Sequence, residues 1–139
     1  MVALLCAVDD LRAFFTRIVR PHGLTPQQYN VLRILRGADP TGLPTLEVGE
    51  RMIERSPGIT GLVDRLVAKG LVKRARSRTD RRRVLCRLSD DGRAILAELD
   101  QQVNAADSTA MALLTPDDVR QLVESLEKIS ASLEATAKG

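Results

Sequence analysis

Apolar residues recur at three- and four-residue steps from residue 2 to residue 19 (Leu4, Leu5, Val8, Leu11, Phe15, Ile18, Val19), the period of a helix with one buried face. Pro21 and Gly23 end that helix. Thr25, Pro26 and Gln28 then make a start signal, with Thr25 as cap, Pro26 in the first turn and Gln28 completing a capping box. Leu24 and Tyr29 flank it as a hydrophobic staple, and the second helix buries Val31, Leu32 and Leu35 before stopping at Gly37. After the loop Ala38–Pro44, a short third helix runs from Thr45 to about Ile53. Gly49 in its middle costs roughly 1 kcal/mol relative to Ala, which suggests close approach of a crossing helix. Ser56–Pro57 opens a fourth helix that ends at Gly70, with Ile59, Leu62, Val63 and Leu66 on one side. Pro57, Thr60, Gly61, Asp64 and Ala68 face away.

The period then changes. Val84, Cys86 and Leu88 alternate with Arg83, Leu85 and Arg87, which is strand spacing. Lys73–Arg76 supplies the partner strand, and Ser77–Arg82 turns between them. A long fifth helix starts at Ser89–Gly92 and carries Ile95, Leu96, Leu99 and Val103. A sixth, capped at Thr115, carries Val119, Leu122, Val123, Leu126, Ile129 and Leu133. The adjacent pairs Asp90–Asp91 and Asp117–Asp118 stand at helix starts, where carboxylates complement the helix dipole. The predicted fold is mainly α with one β-hairpin.

Charge sharpens this picture. Between Lys69 and Arg87 there are nine basic residues and one acid, Asp80, so the segment is +8 while the rest of the chain sums to −5. A solubilising surface intersperses both signs, whereas one cationic hairpin behind a pair of short helices is the footprint of a nucleic-acid contact. Two short helices joined by a tight turn match a helix-turn-helix, although an ordinary helical hairpin has the same pattern.

Composition excludes other classes. A chain of 139 residues, 44% hydrophobic and 2% aromatic, makes one domain, or one compact domain plus helical extensions, with an aliphatic core. No run of about 18 apolar residues exists to span a membrane, and the N-terminus turns acidic too early for a secretory signal. Cys6 and Cys86 have no metal-ligand spacing and read as buried thiols of a cytoplasmic protein. The single histidine, His22, lacks a nucleophile in an activating pattern, and no P-loop, GxGxxG or metal cluster occurs. Nothing here predicts an enzyme, a metal or a cofactor.

The order of helices, with TPQQYNVLRIL, LEVGERM, SPGITGLVDRLVAKGLVKR and TDRRRVLCRLSDDG, resembles the MarR family of bacterial transcription regulators over nearly the whole chain. The most specific parts are LVDRLVAKGLVKR and the DRR of the wing. The resemblance implies a winged helix-turn-helix at 24–88 between dimerisation helices at 1–23 and 89–139. It also implies a homodimer on a pseudo-palindromic double-stranded operator, usually as a repressor, released by a small aromatic or phenolic ligand.

By position, Ser56, Pro57, Thr60, Gly61 and Arg65 of the fourth helix are the expected major-groove contacts. Arg81 is expected in the flanking minor groove, where a guanidinium answers concentrated negative potential. Arg78, Arg82 and Arg83 complete the cationic wing, and Asp64 is expected to pair with Arg82. Similar family members often carry Arg where this chain has Gly61, so recognition is expected to lean on thymine-methyl contact at Pro57 and Thr60, backbone approach at Gly58 and Gly61, and groove shape read by Arg81.

The resemblance places Phe14, Phe15, His22 and Tyr29 near a ligand cleft, although each also fits core packing. Apolar stripes on the first, fifth and sixth helices exceed what a winged domain can cover, which asks for a second chain. Two alternatives stay open: redox sensing through Cys6, and a winged module that binds RNA or an acidic protein.

Overall fold

A computed structural model describes residues 1–55 and 57–137. The helices are α1 (Val2–Val19), α2 (Pro26–Gly37), α3 (Thr45–Arg51), α4 (Ile59–Ala68), α5 (Asp90–Ala110) and α6 (Pro116–Ala137). A 3-10 turn, Arg20–His22, follows α1, and strands β1 (Val72–Arg76) and β2 (Val84–Leu88) form the hairpin. Two compact units result, Met1–Asn104 and Ala105–Gly139, so the boundary falls within α5.

Local chemistry explains most element ends in the first unit. Gly23 takes φ 71° to close the turn after α1. The capping box of α2 forms as expected: the Thr25 hydroxyl accepts from the Gln28 N–H at 3.2 Å, and the Gln28 amide oxygen accepts from the Thr25 N–H at 3.1 Å. Ser89 caps α5 by accepting from the Gly92 N–H at 3.0 Å, while its hydroxyl donates to the Gly70 carbonyl at 2.6 Å. That one side chain joins the end of the hairpin to the end of α4.

The core is aliphatic. Leu32 and Leu35 of α2, Val48 of α3, Val63 and Leu66 of α4, Val72 and Cys86 of the strands, and Leu96 and Leu99 of α5 are fully buried together with Val19. The stripe of α5 therefore packs inward in this unit, rather than being left over for a second chain. In α1 only the C-terminal half joins the core, through Phe15, Ile18 and Val19. Val2 and Leu5 are 74% and 61% exposed. Cys6 is also exposed, which corrects the expectation that both cysteines are buried; Cys86 alone is.

β1 and β2 pair antiparallel with Val72 opposite Leu88 and Arg76 opposite Val84. β2 has a neighbour on its other edge that strand period did not reveal. Leu43 exchanges backbone hydrogen bonds with Cys86, at 3.0 and 2.7 Å, so an isolated bridge lies on the edge of β2 away from β1. Gly42 permits this approach: it has φ 80°, and a Cβ there would stand 2.6 Å from the Cys86 carbonyl oxygen. The face expected to be buried also runs out towards the turn. Val84 is half exposed, while Leu85, on the opposite face, is buried outside the main core.

In the second unit, Thr115 caps α6 with a reciprocal box: the Thr115 hydroxyl accepts from the Asp118 N–H at 3.2 Å, and the Asp118 carboxylate accepts from the Thr115 N–H at 2.8 Å. Hydrogen bonds from the Thr115 hydroxyl and backbone hold the Asp118 carboxyl below its usual range. Of the two acids at this helix start, Asp118 serves capping and Asp117 pairs with Arg120. Leu122, Val123, Leu126, Ile129 and Leu133 form a stripe along α6 that stays largely exposed.

Candidate nucleic-acid interface

Helices α3 and α4 cross where Gly49 faces Ile59. A Cβ on Gly49 would lie 3.3–3.4 Å from three Ile59 side-chain carbons, which is the close approach the mid-helix glycine suggested. Helix α4 starts at Ile59 with Gly58 as its N-cap, so Pro57 precedes the helix instead of opening it. Glycine is itself an acceptable N-cap, and a proline one residue earlier restricts only the approach to it. Ser56, expected as cap and DNA contact, lies outside the described residues. Ile59, Leu62, Val63 and Leu66 are buried as expected. Pro57, Thr60, Asp64 and Arg65 are exposed and Gly61 is half-buried. The Arg65 guanidinium lies 3.7 Å from where a Cβ of Gly61 would stand. The helix face at Gly61 therefore does carry a cation, contributed from one turn further on.

The hairpin is fixed to these helices by ion pairs that differ from the expected one. Asp64 pairs with Arg74, at 2.6 Å, and not with Arg82. Strand register sets this pairing. Arg74 lies opposite Cys86 in β1 beside α4, whereas Arg82 belongs to the turn and its backbone N–H donates to the Asp80 carboxylate at 3.0 Å. The hydrogen bond to Asp64 raises the Arg74 pKa above its ordinary value, against the opposing cost of partial burial. A second tie joins Arg83 to Glu47 of α3 at 2.8 Å. Arg87 donates to the Thr41 carbonyl at 2.9 Å, and Lys69 to the Gly23 carbonyl and, at 3.3 Å, the Gln28 amide oxygen.

The turn itself is held by the Ser77 side chain and by a backbone hydrogen bond. The buried Ser77 hydroxyl accepts from the N–H groups of Thr79 and Asp80, each at 3.3 Å, and the Arg83 N–H donates to the Asp80 carbonyl at 3.0 Å. Arg78, Arg81 and Arg82 of this braced turn are exposed, and among the described residues none of them forms an ion pair. The result is an ordered loop with three free guanidinium groups, attached to a helix-turn-helix with a small, polar outer face.

A separate cleft of about 680 Å³ opens between α1, α2, the α3–α4 turn and α4. Leu11, Phe15, Tyr29, Met52 and Leu62 supply its apolar wall, and Arg12, Arg33, Arg65 and Glu54 its charges. Two of the four expected lining residues are therefore here. Phe14 and His22 line no part of it. Phe14 is a helical step round from Phe15 and lies under the Arg17 guanidinium, 5.4 Å from its ring centre. His22, beyond the end of α1, faces α5, with Gln102 at 3.3 Å and Glu98 at 3.9 Å. Among the described residues no three His, Cys, Asp or Glu side chains converge for a metal ion, and no helix is long and apolar enough to cross a membrane.

Two short crossing helices, a second helix with an open polar face and a cationic hairpin braced against it define a winged helix-turn-helix DNA-binding protein. The MarR family's sequence profile matches residues 22–83. The homoprotocatechuate degradative operon repressor of Escherichia coli is 30% identical over 130 residues, 94% of this chain and 86% of that protein. The chain belongs to the MarR family of transcription regulators. Among solved structures, a mutant MarR from E. coli complexed with operator DNA superposes with a TM-score of 0.81 at 26% identity, covering 91% of this chain and 90% of that one. Bordetella bronchiseptica BpsR, whose DNA binding is regulated by 6-hydroxynicotinic acid, superposes with a TM-score of 0.80 at 27% identity over 92% and 90% of the two chains.

Proposed function

We propose that this chain is a cytoplasmic homodimeric repressor that binds a pseudo-palindromic duplex operator and releases it on binding a small aromatic or phenolic ligand. In this reading residues 24–88 bind DNA, and the helices of 1–23 and 89–139 hold the dimer. Ser56, Pro57, Thr60, Gly61 and Arg65 meet the major groove, and Arg81 enters the minor groove with Arg78, Arg82 and Arg83 beside it. The observation that carries the reading is the braced turn with three arginines that are unpaired among the described residues: a soluble surface gains nothing from ordering like charges together, whereas phosphates and a narrow groove neutralise them. Support for a dimer comes from the exposed apolar residues of α1 and α6, Val2, Leu5 and Leu133 among them. Support for a ligand comes from the cleft lined by Phe15 and Tyr29 and from the regulated DNA binding of BpsR.

Selecting bound duplexes from random DNA at near-physiological salt tests this. The expected product is a palindromic consensus with half-sites about one helical turn apart, bound by two copies of the chain in sedimentation. Binding without sequence preference, a preference for RNA, or a monomer on the selected duplex would refute the reading.

A further inference from the structure

We propose that Arg65, folded back over Gly61, is the side chain that reads a guanine in each half-site, and that glycine at position 61 is what gives it the room to do so. The inference rests on the reading of the chain as a duplex-binding regulator and adds the residue that sets its base preference. The side chain of a helical residue covers the turn N-terminal to its own Cα. Residue 65 therefore lies over residue 61, and a glycine there leaves that space open. The one atom within reach of a Cβ on Gly61 is Nη2 of Arg65, at 3.7 Å. An alanine carbon would just touch the guanidinium, whereas a longer side chain would have to push it away.

The place the guanidinium occupies gives it a task. The N-terminal part of a recognition helix is the part that meets base edges. Arg65 belongs to the second half of α4 (Ile59–Ala68), yet its charged end lies one turn nearer the helix start. The exposed groups already there are short: Pro57 has no donor and Thr60 a single hydroxyl. Asp64, next to Arg65, is taken by Arg74 at 2.6 Å. Lys69, just past the end of the helix, is turned to the Gly23 carbonyl and the Gln28 amide oxygen. Arg65 itself has no ion pair and no side-chain hydrogen bond among the described residues. Its fork of donors is thus free on this face, and guanine offers the matching acceptors, O6 and N7, in the major groove. Hydrogen-bonded readout is thereby added to the thymine-methyl contacts expected from Pro57 and Thr60.

Competition binding tests this, using every single-base variant of one half-site of the selected duplex with wild type, R65Q and G61L. Wild type is expected to prefer guanine at one position by about tenfold to a hundredfold. Replacing that guanine by 7-deazaguanine, which lacks the N7 acceptor, should weaken wild type by about fivefold and leave R65Q unchanged. R65Q should flatten the preference at that position to within about twofold and keep the preferences elsewhere in the half-site. G61L retains Arg65 but should show the same flattening, because leucine fills the space the guanidinium occupies, and adding G61L to R65Q should flatten nothing further. A loss in R65Q that is equal for all duplexes would put Arg65 on a phosphate and overturn the proposal, as would a G61L protein that keeps the guanine preference. A selected duplex without any guanine preference would overturn it too while the DNA-binding reading stands; failure to select any duplex would remove both.

Discussion

The two ends of the hairpin use the same residue type for opposite purposes. At its base Arg74 neutralises Asp64 and Arg87 holds the Thr41 carbonyl. At its tip Arg78, Arg81 and Arg82 have no ion-pair partner among the described residues. Arg83 marks the change, leaving the turn to reach Glu47 of α3. Four of the nine cations between Lys69 and Arg87 are thus engaged within the chain. A count of basic residues overstates the charge available to a partner and conceals where it lies. Cations at the base tie the wing to the rest of the fold; those at the tip remain available to a partner.

The largest effect that could break this division is at the tip. Arg81→Ala is expected to weaken binding to the selected duplex by about tenfold to a hundredfold, read by fluorescence anisotropy, with stability within about 0.5 kcal/mol of wild type. Each tip arginine removed should also lower the salt slope by about 1, whereas Arg87→Gln should change it by less than half as much. Equal losses at Arg81 and Arg87 would erase the distinction.

A smaller effect sharpens it. Arg74→Ala should lower stability by at most about 1 kcal/mol, because the pair is partly exposed, and lower duplex affinity about fivefold by leaving Asp64 uncompensated towards phosphates. Adding Asp64→Asn should restore most of that affinity. A double variant that binds no better than Arg74→Ala alone would mean that Arg74 itself contacts DNA, and base and tip would then share one role.

The smallest effect extends the contrast to the glycines of the helices that the hairpin braces. A Cβ at Gly49 meets the β-branched Ile59, which cannot turn aside, so Gly49→Ala is expected to cost about 1 kcal/mol in thermal or denaturant unfolding. At Gly61 the nearest atom is the mobile end of Arg65, 3.7 Å away, and Gly61→Ala should gain up to about 1 kcal/mol of helix preference. The opposite order would place the tight crossing at the wrong glycine.

How far the chain could be read in advance follows the range of each interaction. The Thr25–Gln28 capping box, the buried face of α4 and the crossing at Gly49 were all predictable, since neighbours a few residues away decide them. The start of α4 is not legible in the sequence, because Ser56–Pro57 and Gly58 both make acceptable caps and only the packed chain chooses. The partner of Asp64 is not legible either, because several arginines follow within one hairpin and strand register alone brings Arg74 to it. The edge pairing of Leu43, the tie from Glu47 to Arg83 and the pairing of Arg12 with Glu54 left no periodic trace at all.

By itself, then, the sequence determined the elements, their order, the aliphatic core and the place of the positive charge, because hydrophobic period, caps and local charge density act between near neighbours. Tertiary structure alone decided which charges are consumed within the chain and which face outward, and which of four aromatic and imidazole side chains wall the cleft. Those outcomes depend on distances of a few ångströms between residues far apart in the chain, and only the packed fold sets such distances.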